Sequence, residues 1–280
     1  IVGLKPTYGL LSRRGLATLS WSLDHSGPMA RTVEDTALVL QATAGHDPRD
    51  PTSINVQLPD YSSAIREDIS GVRIGVPRDY IDVLKGDMDG ESVAAMNRAL
   101  LELESLGARV EEVRIPSLEL SLITFLVMWY SETFSPRKKT LQSNPEIFGD
   151  AARRVCYQGS LIPTTDYLLA QQARTRLRRE CAEVFRSVDV LILPTVPSVA
   201  PLAEAVPQDA SHKRPPDVSY FLSPFNLTGT PAISLPCGFN SNNLPLGMQI
   251  LGKALDEITV LRVAYTYQQH AGWYKRRPTI

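Results

Sequence analysis

Apolar and polar positions alternate along the chain with two periods, one suited to strands and one to helices. Residues 1–4 form a short apolar run that stops at Lys5-Pro6, as a buried strand does on leaving a core. Over residues 31–45, Val33, Ala37, Leu40 and Ala44 recur at helical spacing. Thr32 is placed as the N-cap, Glu34 and Asp35 occupy the first turn, and Gly45 stands where a helix stops. "HDPRDPTS" then brings two X-Pro steps between aspartates, which predicts an ordered turn. "GVRIGVP" reads as a short buried strand. Residues 89–107 read as an amphipathic helix with Val93, Met96, Leu100 and Leu103 on one face and Gly107 at its end. "ARVEEVRIP" follows as a second strand, alternating Val110, Val113 and Ile115. A strand, a helix and a strand at this spacing predict a right-handed crossover between parallel strands.

Helical patterns return from residue 118 to about 132 and over residues 164–188. The unbroken apolar run of "DVLILPTVP" predicts a central strand. Residues 196–216 are rich in Pro and Ala and read as a surface excursion. "PAISLPCGF" and "LPLGMQILG" read as two strands joined by the polar "NSNN", and residues 256–274 as a closing helix with Asp256 as its cap. Internal repeats and low-complexity tracts are absent. The expected fold is α/β, with a mixed, mostly parallel sheet and helices on both faces.

Composition narrows the function. At 280 residues and 43% hydrophobic, the chain can bury a substantial core. Its 29 basic and 30 acidic residues leave a formal charge of −1, which argues against a general nucleic-acid or membrane-surface binder. The longest apolar stretch, residues 120–130, is shorter than the roughly 20 residues that span a bilayer, so it reads as a core helix and no membrane association is expected. Cys156, Cys181 and Cys237 are odd in number and far apart, which fits a reducing, cytoplasmic setting better than a disulfide framework or zinc knuckle. His25, His46, His212 and His270 never fall at a helical ligand spacing, so a metal site built from sequence neighbours is not expected.

Chemical signatures are scarce. The chain has no G-x-G-x-x-G, no G-x-x-x-x-G-K-[ST], no H-E-x-x-H and no G-x-S-x-G. A serine nucleophile needs an exposed turn, a base and backbone N–H groups for the oxyanion. Ser26-Gly27, Ser70-Gly71 and Gly159-Ser160 each offer a single glycine and read as ordinary turns. The arginines of "ARTRLRRE" spread over several helix faces, as on a solvated surface.

Longer stretches carry more. Residues 2–53, beginning "VGLKPTYGLLSRRG" and containing "SLDHSGPMARTVEDTA", resemble the amidase signature family. "LPTVPSVAP", "FNLTGTPAISLPCGF" and "LPLGMQILGKALDE" resemble it too, in the order and spacing that family uses. The resemblance runs from Ile1 to about Tyr274 and is weakest between residues 118 and 166. It implies the amidase signature fold and hydrolysis of a carboxamide C–N bond, with neither metal nor cofactor. The nucleophilic serine, a second serine in a cis peptide bond and an upstream lysine would carry the reaction. In the family these residues precede "VGLKPT" and map to none here, and the first Met is Met29. Residues 1–280 are therefore expected to be the C-terminal part of a single amidase domain whose N-terminal part is missing, and to be inactive alone. A sheet lacking its first strands would expose edges and associate, for example as a homodimer.

The family's glutamine branch, which supplies ammonia for tRNA-dependent amidation, holds glutamine with a tyrosine, an arginine and an aspartate. By this resemblance the tyrosine falls at Phe125 or Leu126, the arginine at Arg153 or Arg154, and the aspartate at Ser219. An arginine without its acidic counterpart cannot hold both ends of an amino acid. The resemblance thus favours a general amidase acting on a small-molecule amide, with Phe125, Trp129, Arg154, Ser219 and Phe221 as candidate substrate-facing residues. Ordinary packing or a surface ion pair is the competing reading for each. Asp24 is expected to be a turn-stabilising acceptor. The alternatives are a catalytically dead, amidase-like binding module and the glutamine amidotransferase component itself.

Overall fold

A computed structural model describes residues 1–84, 86, 88–202 and 219–277. Seven strands among them form one sheet: β1 (Val2–Lys5), β2 (Met29–Ala30), β3 (Arg73–Val76), β4 (Arg109–Glu112), β5 (Val190–Pro194), β6 (Ala232–Phe239) and β7 (Pro245–Gly252). Their order is β2-β1-β6-β7-β5-β3-β4. The βαβ unit forms as the periodicity predicts. The helix α3 (Gly90–Ser105), capped by Asp89, buries Met96, Leu100 and Leu103, and returns the chain to β4 parallel to β3.

The sheet is mixed, but it is not mostly parallel. Only the β3–β4 and β3–β5 pairings among the described strands are parallel, while β1–β2, β1–β6, β6–β7 and β5–β7 are antiparallel. The cause is the hairpin of β6 and β7. Its turn lets Asn240 N–H donate to Leu244 O at 3.0 Å and puts Asn243 at φ 60°, so the hairpin inserts as a unit between β1 and β5. Every neighbour of a hairpin inserted in this sense runs against it.

Helices lie on both faces. In the β6–β7 register Ile233 opposes Ile250 and Leu235 opposes Met248. This side is covered by α9 (Glu257–Ala271), whose Val260 would press within 2.5 Å of a Cβ on Gly252, and by α3, which meets Gly238. Ser234 and Gln249, also opposed, point to the other face. There α8 (Ser219–Thr228) sits over the strands. Helix α1 (Val33–Thr43), capped by Thr32 as expected, packs against β1 and β2. Its last turn ends one residue before the expected glycine, at the extended Ala44.

Beside this lies a helical layer of α4 (Ser121–Phe134), α6 (Asp150–Ser160) and α7 (Thr164–Val184). The stretch expected to be a core helix becomes α4, yet Ile123 stays 57% exposed, because α4 packs on helices and buries only Ser121, Thr124, Met128, Glu132 and Thr133. Gly159 and Ser160, expected in a turn, end α6. A Cβ on Gly159 would stand 2.1 Å from Tyr130 O, so this glycine sets how closely α6 meets α4. Most of the expected surface excursion, from residue 203, lies outside the described residues, as does His212.

Candidate active site

Two concavities are candidates for a site, and α8 walls the smaller. The smaller, about 350 Å³, has a floor of β1, β6 and β7 and a wall from α8. The end of β5 adds Thr195, and the loop before β2 adds His25 and Ser26. That loop crosses β1 so closely that a Cβ on Gly27 would lie 2.0 Å from Leu4 O. Only glycine lets it pass, and the crossing holds His25 at the pocket.

The floor is polar where the strands are otherwise apolar. Thr195 Oγ1 and Ser234 Oγ lie 2.9 Å apart. Gln249 Nε2 donates to Pro194 O at 3.0 Å and to Phe221 O at 2.7 Å, which ties the sheet to α8. Two basic side chains border the same space. Burial pulls Lys5 down to about 7 against an upward pull from Glu257, and its Nζ donates to Thr230 O. Burial, reinforced by Lys5, Arg13 and Arg174, pulls His25 down to about 3, while its bond to Leu23 O works the other way. The neutral imidazole must donate from Nδ1 to Leu23 O, at 2.7 Å, because a carbonyl only accepts. Nε2 is thereby left as a buried lone pair without a partner. A pocket with shifted titratable groups and converging polar atoms is the place to look for chemistry.

The larger cleft, about 650 Å³, lies between α4, α6, α7 and the loop at Trp21. Its carboxylate is already spent. Glu132 accepts from Ser20 Oγ at 2.6 Å, Ser22 N at 2.8 Å, Ser22 Oγ at 2.7 Å and Tyr167 OH at 3.0 Å. Arg174 completes the network, donating to Ser22 Oγ at 2.8 Å, Ser22 O at 2.9 Å and Leu227 O at 2.7 Å. Desolvation holds Arg174 down to about 10. A carboxylate with four donors braces structure and has no lone pair to offer a reaction.

The candidate residues from the sequence are not gathered into one pocket. Phe125 and Trp129 stack on each other at 5.8 Å along α4. Arg154 is exposed on α6, where its neighbour Arg153 pairs with Asp150. Ser219 opens α8, half-buried. Phe221 is buried edge-on to Tyr80 at 6.3 Å. Asp24 accepts from Leu19 N at 2.8 Å and Ser20 N at 3.0 Å, the turn-stabilising part expected of it. Pattern reading passed over Thr195, Ser234, Gln249, Lys5 and Asn226. The available signal was a lone polar residue inside an apolar strand: serine in "PAISLPCGF" and glutamine in "LPLGMQILG". Among the described residues no group of three or more His, Cys, Asp or Glu could hold a metal, and no helix is long and apolar enough to cross a membrane.

Comparison with known proteins gives a consistent set. A family model described as Amidase matches residues 1–261. The A subunit of glutamyl-tRNA(Gln) amidotransferase from Synechococcus sp. (strain JA-3-3Ab) is 40% identical, over 100% of this chain and 58% of its own length. The same protein from Brevibacillus brevis (strain 47) is 39% identical over 99% of this chain and 61% of its own. Among solved structures, its counterpart from Thermotoga maritima is 33% identical with a TM-score of 0.79, covering 96% of this chain and 57% of that one. A protein from a vestigial complex, described as revealing the origins of an s-triazine catabolic enzyme, is 30% identical with a TM-score of 0.84, covering 97% and 58%. A bacterial aryl acylamidase, at 23% identity and a TM-score of 0.81, shares the fold. The chain spans about three-fifths of the length of the curated relatives it matches.

Proposed function

The chain belongs to the amidase family, and from that premise we propose that it is the substrate-facing part of an enzyme that hydrolyses a small-molecule carboxamide. The observation that carries this is the match over residues 1–261 together with a pocket whose floor offers uncharged hydrogen-bonding groups, Thr195, Ser234 and Gln249. By the family resemblance a serine adds to the amide carbonyl, a lysine acting through a second serine takes its proton, and water later releases the acid. Those three residues have no counterpart in this span, so the 280 residues alone are proposed to be inactive. Lys5 is not the family's lysine, which lies upstream of "VGLKPT". Phe125 and Trp129 would present an apolar face to the acyl or amine part.

A second reading is favoured by the relatives, since the two described above at 39–40% identity are amidotransferase components. Under it the protein would release ammonia from glutamine and deliver it within a larger complex. Phe125, stacked on Trp129 and without a hydroxyl, and Ser219, without a charge, favour the general amidase instead.

Ammonia release from simple amides and from glutamine separates the readings, comparing this span with a protein extended upstream in its reading frame. Turnover of simple amides only by the extended protein supports the first reading, and a strong preference for glutamine supports the second. Silence in both, with the extended protein folded, would leave a binding module. Turnover by the 280 residues alone would overturn the proposed division of labour.

A further inference from the structure

The larger cleft is bordered by a cation whose hydrogen-bonding capacity the described residues only partly use. Arg137 follows Pro136, a lining residue, and reaches to Thr18 and Leu19 in the loop that borders the cleft. Its Nη2 donates to Thr18 O at 2.5 Å, and its Nη1 donates to Thr133 O at 2.9 Å and to Leu19 O at 3.4 Å. A guanidinium has five N–H groups, so Nε–H and one Nη2 hydrogen are left over. All three acceptors are backbone carbonyls, and among the described residues no carboxylate pairs with Arg137. These bonds fix where the side chain sits and leave its charge open.

Walls and charge together select a ligand. Trp21, Phe134, Pro136, Ile162 and Tyr167 line the cleft, and its volume of about 650 Å³ has room for a ring system. Glu132, the acidic residue of the lining, already accepts four hydrogen bonds, so an ammonium would find no free counter-charge. A neutral apolar ligand would strip water from the half-buried Arg137 and return no hydrogen bond to it. A carboxylate on a flat apolar body suits both features, since it covers the rings and accepts the leftover N–H groups in a charge-assisted pair. Lys138 and Lys139, exposed at the next two positions, add positive charge on the same side.

We propose that the cleft between α4, α6 and α7 is a binding site for a small aromatic carboxylate, with Arg137 holding the carboxylate. It shares no lining residue with the sheet-floor pocket and does not rest on the amidase reading. 2-Naphthoate, 2-naphthamide and 2-naphthylmethylamine are titrated into the 280-residue chain while the Trp21 indole resonance is followed by NMR. Saturable shifts are expected with naphthoate, and the amide and amine should bind about tenfold more weakly or worse, the worth of the charge-assisted pair. Arg137→Gln should weaken naphthoate by a similar factor of about ten, and Arg137→Lys should recover part of the loss. Because Arg137 also holds the loop, Thr164→Glu serves as the second variant. It places a negative charge in the lining at the first position of α7, where an acid suits the helix. It should cost naphthoate about tenfold and leave the urea midpoint no lower. Equal binding of the three probes, no saturation with naphthoate, or unchanged affinity in both Arg137→Gln and Thr164→Glu would overturn the site. The same titration on the upstream-extended protein should give the same order of probes, and loss of naphthoate binding there would overturn it as well. Ammonia release is scored separately and bears on the amidase reading alone.

Discussion

Tyr80 supplies the hydrogen bond that Pro224 cannot make. Pro224 lies inside α8 and has no N–H to give to the carbonyl four residues before it, that of Tyr220. The Tyr80 hydroxyl donates to that carbonyl at 2.6 Å. Other α8 carbonyls are held from outside as well: Phe221 O by Gln249, and Leu227 O by Arg174 and by Arg178 at 3.1 Å. The helix that walls the pocket is therefore aimed by side chains from the sheet, α7 and α2 (Arg78–Leu84), and its own ladder is incomplete.

Tyr80→Phe keeps the ring against Phe221 but leaves the Tyr220 carbonyl without its donor. A loss of about 1–3 kcal/mol in urea unfolding is expected. Gln249→Leu removes two such bonds and should cost at least as much. An unchanged midpoint in both variants would mean that α8 does not depend on these clamps.

Glu132 and Arg174 meet through Ser22, whose Oγ donates to the carboxylate at 2.7 Å and accepts from the guanidinium at 2.8 Å. Glu132→Ala strands Arg174 and both serines, and should destabilise the chain by about 3–5 kcal/mol. Glu132→Gln sets an amide hydrogen against donors and should cost somewhat less. Chemical denaturation with both variants measures the difference.

Gly27→Ala drives a Cβ into Leu4 O, a backbone atom that cannot step aside without moving β1. A cost of about 3 kcal/mol or more is expected, together with a shift of the His25 ring resonances. Gly15, with open space around its Cβ position, is the control site for crowding; because its φ is 90°, an alanine there should cost only the backbone strain.

Stability should rise with pH in two windows. Lys5 sits near 7 in the folded chain against 10.5 ordinarily, so the unfolded chain binds its proton more readily between those values. Stability is lost as pH falls from 10.5 to 7, by up to about 5 kcal/mol at 1.36 kcal/mol per pH unit. Lys5→Met should flatten that limb. His25 repeats the pattern lower down, between its ordinary 6.5 and about 3, and His25→Gln should flatten the acid limb. Denaturation midpoints from about pH 4 to about pH 10 read both, and slopes unaltered by either variant would refute the assignment.

Much of the fold was legible because local burial has a local period. The caps at Thr32 and Asp256 accept the N-terminal N–H groups their positions predict, and the apolar faces of α3 and α9 pack on the sheet. The family resemblance was legible as well, because its motifs are contiguous. Phe221 shows where such reading thins out: its type and position favour core packing without excluding substrate contact, and its edge-on seat against Tyr80 is visible only in the folded chain.

The sequence by itself determined six of the strands and the helices α1, α3, α4, α7 and α9, since a side chain's period of burial follows from its own backbone. Tertiary structure alone decided that β6 and β7 enter the sheet as an antiparallel hairpin between β1 and β5. It also decided that Ser234, Gln249 and Thr195 share one polar floor. Strand order is a choice among non-local pairings, and one polar residue in an apolar strand acquires partners only when that order places other polar residues across from it.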